Sequence, residues 1–196
     1  MRTGVLGGTF DPPHVGHLLT AVDALEYLSL DRILLVPNAI QPLKGPARAS
    51  PADRLAMVRL LAGNDPRFQV DDIEVTRNGL SFTVDTLEEL ATRYSGGRAH
   101  LYLLVGADTL ATFAQWRQPG RVLQLATLAV LRRKGDASRD PVALPEGAVA
   151  VPTRTIQVSS SEIRERVKLG KVVSGFVNEG IERFIAERGL YRQDRG

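Results

Sequence analysis

The chain has 196 residues, 43% of them hydrophobic and 24% charged, which suits a single domain over residues 1–196 with a sizeable core. It has no cysteine, which excludes disulfides, thiolate nucleophiles and cysteine-ligated zinc. Its 25 basic and 22 acidic residues leave a net charge of only +3, scattered rather than gathered into a nucleic-acid-binding stripe. No apolar run nears the roughly 20 residues of a membrane span, and the first residues lack the apolar stretch of a secretory signal. A cytoplasmic protein is expected, with no membrane and no nucleic acid among its partners.

Along the chain, Arg2–Leu6 reads as a strand that runs into Gly7-Gly8-Thr9-Phe10-Asp11-Pro12-Pro13-His14-Val15-Gly16-His17. A helix is expected over Val15–Leu28, with Leu18, Val22 and Leu25 on one side. Ile33–Val36 is a second strand, ended by Pro37-Asn38. A loop rich in proline and small residues leads to Ser50, a good N-cap, with Pro51 at the first helical position. That helix carries Leu55, Val58 and Leu61 and stops at Gly63-Asn64. Phe68–Val75 reads as strand, whole or in two pieces around Asp71-Asp72. Thr83–Tyr94 is helical, closed by Gly96-Gly97.

His100–Val105 is the cleanest buried strand, with Gly106-Ala107-Asp108 at its carboxyl end. Short helices follow at Thr109–Phe113 and Arg121–Leu125, then a strand at Thr127–Leu131. Residues 132–147 read as a mobile surface loop. Val149–Val158 offers one or two strands, and helices are expected at about 160–169 and 178–188. Strands alternating with helices of this length predict an α/β fold, a Rossmann-like parallel sheet with helices on both faces. In such sheets ligands bind beyond the carboxyl ends of the strands, where the strand order switches.

The strand-to-helix turn after the first strand carries the chemistry. Gly7 and Gly8 let a ligand approach the main chain, and a helix N-terminus offers unpaired N–H groups to anions. His14 and His17 are two of only three histidines, and their spacing puts them on one helical face. Imidazole donors there would bond a phosphate and strengthen as charge builds in a transition state. His100, before its strand, has no assigned role.

These residues resemble the bacterial nicotinate-nucleotide adenylyltransferases, nucleotidyltransferases with an H-x-G-H signature, over nearly the whole chain. Gly7–His17 matches the opening motif. Pro37-Asn38 with Gln41-Pro42-Leu43-Lys44 resembles P-N-x-x-P-P-H-K, with Gln41 for the first paired proline and Leu43 for the histidine. Arg54-Leu55-Ala56-Met57 matches R-x-x-M. Asp72, Glu74, Arg77, Gly79, Ser81, Thr83, Asp85 and Thr86 fit the next motif, with Phe82 in place of tyrosine. Gly106-Ala107-Asp108 with Trp116, and Val158-Ser159-Ser160-Ser161-Glu162-Ile163-Arg164, complete the set.

The resemblance implies transfer of the AMP moiety of ATP to the 5′-phosphate of nicotinate mononucleotide, giving deamido-NAD and pyrophosphate, with Mg²⁺. It implies catalytic roles for His14, His17 and Arg164. ATP would be held by these three together with Gly7, Gly8, Thr9, Phe10, Lys44, Gly106, Asp108, Ser159 and Ser160. Thr83, Trp116 and Arg117 would hold the pyridine nucleotide, with Trp116 stacking on the ring and helix-start amides at Thr83 bonding its carboxylate. No metal ligands are assigned, and a homo-oligomer is left open. Two alternatives stand beside this: an adenylyltransferase for nicotinamide mononucleotide or another phosphorylated acceptor, and a nucleotide-sensing module without catalysis.

Overall fold

Six strands pair in parallel in the order β3-β2-β1-β4-β5-β6: β1 (Arg2–Gly8), β2 (Arg32–Pro37), β3 (Phe68–Val70), β4 (His100–Gly106), β5 (Thr127–Arg133) and β6 (Val149–Thr153). The computed structural model describes residues 1–43, 45–94, 100–133 and 143–192. The order runs outward from β1 and β4, so the switch point lies between these two strands, with Val5 beside Leu103. Both end in glycine, at Gly8 and Gly106, and the crevice beyond them is where this topology binds ligands.

The helices are α1 (Val15–Tyr27), α2 (Pro51–Ala62), α3 (Ile73–Arg77), α4 (Thr83–Arg93), α5 (Ala107–Leu110), α6 (Pro119–Leu125), α7 (Ser160–Lys168) and α8 (Glu179–Glu187), with a 3₁₀ turn at Phe113–Gln115. They cover both faces of the sheet, and strand periodicity assigns the residues. Leu34 and Val36 join Val84, Leu87 and Leu90 of α4 on one face. Ile33 and Leu35 join Ala21, Ala24 and Leu25 of α1 and Val58 of α2 on the other. Each fully buried aliphatic side chain there contributes about 1.5–3 kcal/mol by leaving water. A third cluster, with Met57, Ile163, Ile181 and Ile185, packs α2, α7 and α8 together.

Helix starts follow the sequence. Ser50 accepts from Asp53 N–H at the start of α2, Ser159 from Glu162 N–H at α7, and Asn178 from Ile181 N–H at α8.

One expected strand is corrected. Phe68–Val75 is strand only to Val70, and Ile73–Arg77 is helix. Asp71 N–H still donates to Leu35 O at 3.0 Å, but its carboxylate accepts from Ile73 N–H at 3.1 Å and turns the chain away from the sheet. Arg93 holds that carboxylate from outside at 2.7 Å. The alternate spacing of Ile73 and Val75 resembles a strand, yet Ile73 reaches the core from a helical turn. Elsewhere the boundaries shift by a few residues. Thr109–Phe113 resolves into α5 and the 3₁₀ turn, and Val149–Val158 is one strand ending at Thr153. Gly96-Gly97 and residues 134–142 of the expected 132–147 loop lie outside the described residues.

Candidate active site

The turn between β1 and α1 is built around two stacked imidazoles. His14 is the N-cap residue of α1 and His17 sits one turn in, with ring centroids 3.8 Å apart and planes tilted by 34°. His14 N–H donates to His17 Nδ1 at 3.2 Å. That bond uses the Nδ1 lone pair, so a neutral His17 carries its proton on Nε2, free to donate outward. His14 Nδ1 is buried with no hydrogen-bond partner among the described residues. Gly16 is required by this packing: a Cβ there would come within 2.9 Å of His14 Nδ1.

Phe10 supports the pair from below, edge-on to His17 at 4.9 Å. It does so from a left-handed backbone, φ 50°, a conformation costing an ordinary residue about 1–2 kcal/mol. Gly8 lies against the Phe10 ring, where a Cβ would approach to 3.1 Å. Backbone strain held by surrounding packing at a glycine-flanked turn is typical of a ligand-binding site.

Burial keeps both imidazoles neutral. It lowers the His14 pKa to about 4, and burial together with repulsion from His14 lowers that of His17 to about 3. Unfolded imidazoles protonate near 6.5, so below that pH the unfolded chain binds more protons than the folded one, and stability falls as pH drops toward 4 and 3. In the ligand-free protein each imidazole is expected to contribute a loss of the order of 2 kcal/mol between pH 7 and pH 5. Urea unfolding across that range checks this, with His14→Gln giving the shallower slope.

Asp11 anchors the turn. Its buried carboxylate accepts from Arg48 N–H at 2.7 Å, Ala49 N–H at 3.1 Å and the Tyr191 hydroxyl at 2.8 Å. Its carbonyl accepts from Arg164 Nη1 at 2.7 Å, and the Ser160 hydroxyl donates to Pro12 O at 2.8 Å. Thus α7 and the segment after α8 both grip the Asp11–His14 loop. Burial, then the Asp11 charge, raises the Tyr191 pKa and keeps it a donor. Tyr191→Phe removes one charge-assisted bond and is expected to cost about 1.5–3 kcal/mol in chemical denaturation.

Arg54 of α2 is fully buried and ties three loops together. Its Nη1 donates to Thr9 O at 2.8 Å and Asn38 Oδ1 at 3.3 Å, its Nη2 to Ala39 O at 2.9 Å and its Nε to Ala49 O at 3.3 Å. Thr9 Oγ1 in turn donates to Gln41 Oε1 at 2.8 Å, so the unusual Gln41 pins the loop after β2 to the glycine turn. Ser81 Oγ accepts from Ala39 N–H at 3.0 Å, clipping the same loop to the start of α4.

Two cavities flank the switch point and meet at Asp108. The first, about 250 Å³, is lined by His14, Gly16, His17, Gly106 and Asp108, with Ile156 and Val158 supplying an apolar wall. Arg154 closes its rim, held by Asp23 at 2.6 Å. The second, about 400 Å³, is lined by Leu43, Phe82, Thr83, Asp108, Trp116 and Arg117. Trp116 packs on Phe113 with centroids 5.3 Å apart, and Arg117 lies over the Phe82 ring at 4.8 Å while pairing with Asp85 at 3.2 Å. Between them, a cleft of about 180 Å³ is lined by Gly7, Gly8, Thr9, Glu74, Thr83, Gly106 and Trp116. Burial pushes the Glu74 carboxyl up, opposed by hydrogen bonds from Thr86 and Ser81. The first turn of α4 has no side-chain cap, leaving its amides for a ligand.

Most of the expected site residues therefore converge. Gly7, Gly8, Thr9, His14, His17, Thr83, Gly106, Asp108, Trp116 and Arg117 line the three adjoining cavities, and Phe10 backs His17. Ser159 serves as a helix cap, Ser160 holds the turn, and Arg164 faces a different groove while bonding Asp11 O. Lys44 lies outside the described residues. Asp11, Arg54 and Tyr191 went unassigned in the sequence. The R-x-x-M match and a charged residue inside the apolar periodicity of α2 are the signals that mark Arg54.

As a metal site the pocket is poor. Among the described residues no three His, Cys, Asp or Glu side chains converge, and Asp108 is the only carboxylate lining the two larger cavities at the switch point.

A family model for cytidylyltransferase-like proteins matches residues 5–166. A chain from Gemmatimonas aurantiaca named probable nicotinate-nucleotide adenylyltransferase is 45% identical over 199 residues, covering 98% of this chain and 93% of that one. One of the same name from Roseiflexus sp. is 40% identical over 196 residues, covering 96% and 97%. Among solved structures, a Plasmodium falciparum nicotinic acid mononucleotide adenylyltransferase complexed with NaAD superposes with a TM-score of 0.74 at 15% identity, covering 97% of each chain, a likeness of fold. No described helix is long and apolar enough to cross a membrane.

Proposed function

Because the chain belongs to the cytidylyltransferase-like family, and within it to the nicotinate-nucleotide adenylyltransferases, we propose that ATP occupies the cavity walled by His14 and His17 and that nicotinate mononucleotide occupies the one walled by Trp116. The protein is a nucleotidyltransferase of NAD biosynthesis. It joins the AMP moiety of ATP to the 5′-phosphate of nicotinate mononucleotide and releases pyrophosphate. Residues 1–196 act as a single domain, in the cytoplasm, on these two small molecules.

The observation that carries the assignment of sites is the meeting of two cavities at Asp108 beyond the paired glycine ends of β1 and β4. Two nucleotides bound there bring their phosphates together over the β1–α1 turn. The acceptor's phosphate monoester has a second pKa near 6, so it is largely dianionic at neutral pH and needs no general base. Its oxygen forms a bond to the α-phosphorus as the bond to the bridging α–β oxygen breaks, and the electron pair leaves with pyrophosphate. Catalysis is then alignment and charge stabilisation. His17 Nε2–H donates to the α-phosphoryl oxygens. The negative charge of bound ATP opposes the effect of burial and raises the pKa of both imidazoles.

Magnesium would accompany ATP as its counter-ion, held mainly by the phosphates. Asp108 is the residue placed to touch its hydration shell. Uncapped amides at Thr83, with Arg117 near them, suit a carboxylate better than a neutral amide.

Pyrophosphate release tests the proposal. With ATP and nicotinate mononucleotide, kcat/KM is expected to exceed that with nicotinamide mononucleotide by roughly two orders of magnitude, the scale of losing one charge-assisted bond. Equal turnover of the amide overturns the specificity, and no turnover with either acceptor overturns the assignment.

A further inference from the structure

Residues 154–159 run from the end of β6 to the start of α7 outside any strand or helix, yet Ile156 and Val158 of this strap form the apolar wall of the cavity beside His14. Lying outside the sheet's hydrogen-bond ladder, the strap is fastened at its two ends. At the far end Ser159 caps α7 and the Ser160 hydroxyl donates to Pro12 O at 2.8 Å. At the near end one carboxylate, Asp23 of α1, takes both the backbone and the side chain of Arg154. It accepts from Arg154 N–H at 2.7 Å, from Nε at 2.9 Å and from Nη2 at 2.6 Å. The Asp23 side chain is 13% exposed and that of Arg154 48%, so a fixed acceptor on α1 holds a guanidinium folded onto it from solvent. Asp23 lies about one turn beyond Thr20, which lines the same cavity. Ile156 rests against Gly16, where a Cβ would come 3.8 Å from Ile156 Cγ2.

We propose that Asp23 and Arg154 are positioning residues for ATP: their contact clamps the strap to α1 and sets the gap between the Ile156–Val158 wall and the His14–His17 turn. This rests on the reading that ATP occupies that cavity, and it adds a pair that acts through the wall rather than by touching the nucleotide. Charge alone gives the opposite expectation. Asp23 is a carboxylate close to a cavity for a polyanion, so by repulsion its removal would tighten ATP binding. A direct contact between Arg154 and the phosphates would make Arg154→Ala the costly change. The clamp reverses both. Asp23→Ala frees the backbone N–H as well as the guanidinium, whereas alanine at 154 still offers its N–H to Asp23. The bonds lost are charge-assisted, and a wall no longer fixed must be ordered again when the base binds.

Isothermal titration of α,β-methylene ATP, with steady-state kinetics in which ATP and nicotinate mononucleotide are varied separately, tests this. Asp23→Ala is expected to weaken the analogue and raise KM for ATP about tenfold, and Arg154→Ala about threefold. KM for nicotinate mononucleotide is expected to stay within about twofold of the wild type, and kcat to change less than KM for ATP. The double variant is expected to bind the analogue no more weakly than Asp23→Ala, because both residues act through one contact. Asp23→Asn keeps the shape and one acceptor and is expected to weaken the analogue about threefold, which decides the sign even if the alanine variant does not fold. Tighter or unaltered ATP binding in the Asp23 variants overturns the proposal, as does a larger loss in Arg154→Ala than in Asp23→Ala. If the wild type neither binds the analogue nor releases pyrophosphate, the adenylyltransferase reading fails and the clamp with it; if the wild type does both and the variants match it, only the clamp fails.

Discussion

His17→Ala is expected to lower kcat by roughly two to three orders of magnitude, the loss seen when one preorganised donor to a developing charge is removed. The geometry explains why a single imidazole matters this much. Its Nδ1 is committed to His14 N–H, its ring is fixed by Phe10 and by His14 3.8 Å away, and it lines the cavity proposed for ATP. No reorganisation is needed when charge builds on the α-phosphoryl group. His17→Gln retains a donor without the fixed ring and is expected to recover part of the loss. Steady-state kinetics with both substrates varied check this. The fall should appear chiefly in kcat, since the interaction strengthens in the transition state rather than in the ground state. Circular dichroism of the variants should match the wild type.

Arg54→Met is expected to give the largest loss of stability, about 3–5 kcal/mol, because it leaves buried acceptors without their donor. The carbonyls of Thr9, Ala39 and Ala49 and the side chain of Asn38 all depend on this one guanidinium. A methionine fills much of the volume but supplies no N–H. Arg54→Lys is expected to do little better, since one ammonium cannot span four acceptors set around a planar fork. Urea unfolding measures the loss. Activity should fall further than the unfolded fraction predicts, because Thr9 and the loop after β2 lose their register against the glycine turn.

The parallel α/β architecture and the glycine-bearing strand ends that frame the crevice were readable because they depend on patterns that local sequence carries, whereas the strand order was not. Alternation at Ile33–Val36, the Ser50-Pro51 cap and the glycines after β1 and at the end of β4 each report on their own few residues. Phe68–Val75 misled for the same reason. Its alternate apolar spacing suits a strand, and the turn is set by the Asp71 carboxylate meeting Ile73 N–H and by Arg93, 22 residues away. The clustering of His14, His17, Asp108 and Trp116 was visible through the resemblance. Local spacing alone could not say that two cavities join at Asp108.

What the sequence concealed lies in contacts between distant segments. Asp11 sits inside the opening motif, yet its partners Arg164 and Tyr191 are 153 and 180 positions away. Arg54 is marked by its motif and by its place in the apolar periodicity of α2, but the acceptors it reaches on three loops are not visible in the sequence. Arg164 illustrates the limit from the other side. Its motif suggests phosphates, and its position shows a second duty, fastening the backbone of the loop that presents His14.

The most direct test is a crystal structure of the protein with deamido-NAD bound. Adenine is expected against Ile156 and Val158, the pyridine ring on Trp116 with its carboxylate at the first turn of α4, and the diphosphate within hydrogen-bonding distance of His17 Nε2. A dinucleotide bound with its diphosphate away from both imidazoles would contradict this placement.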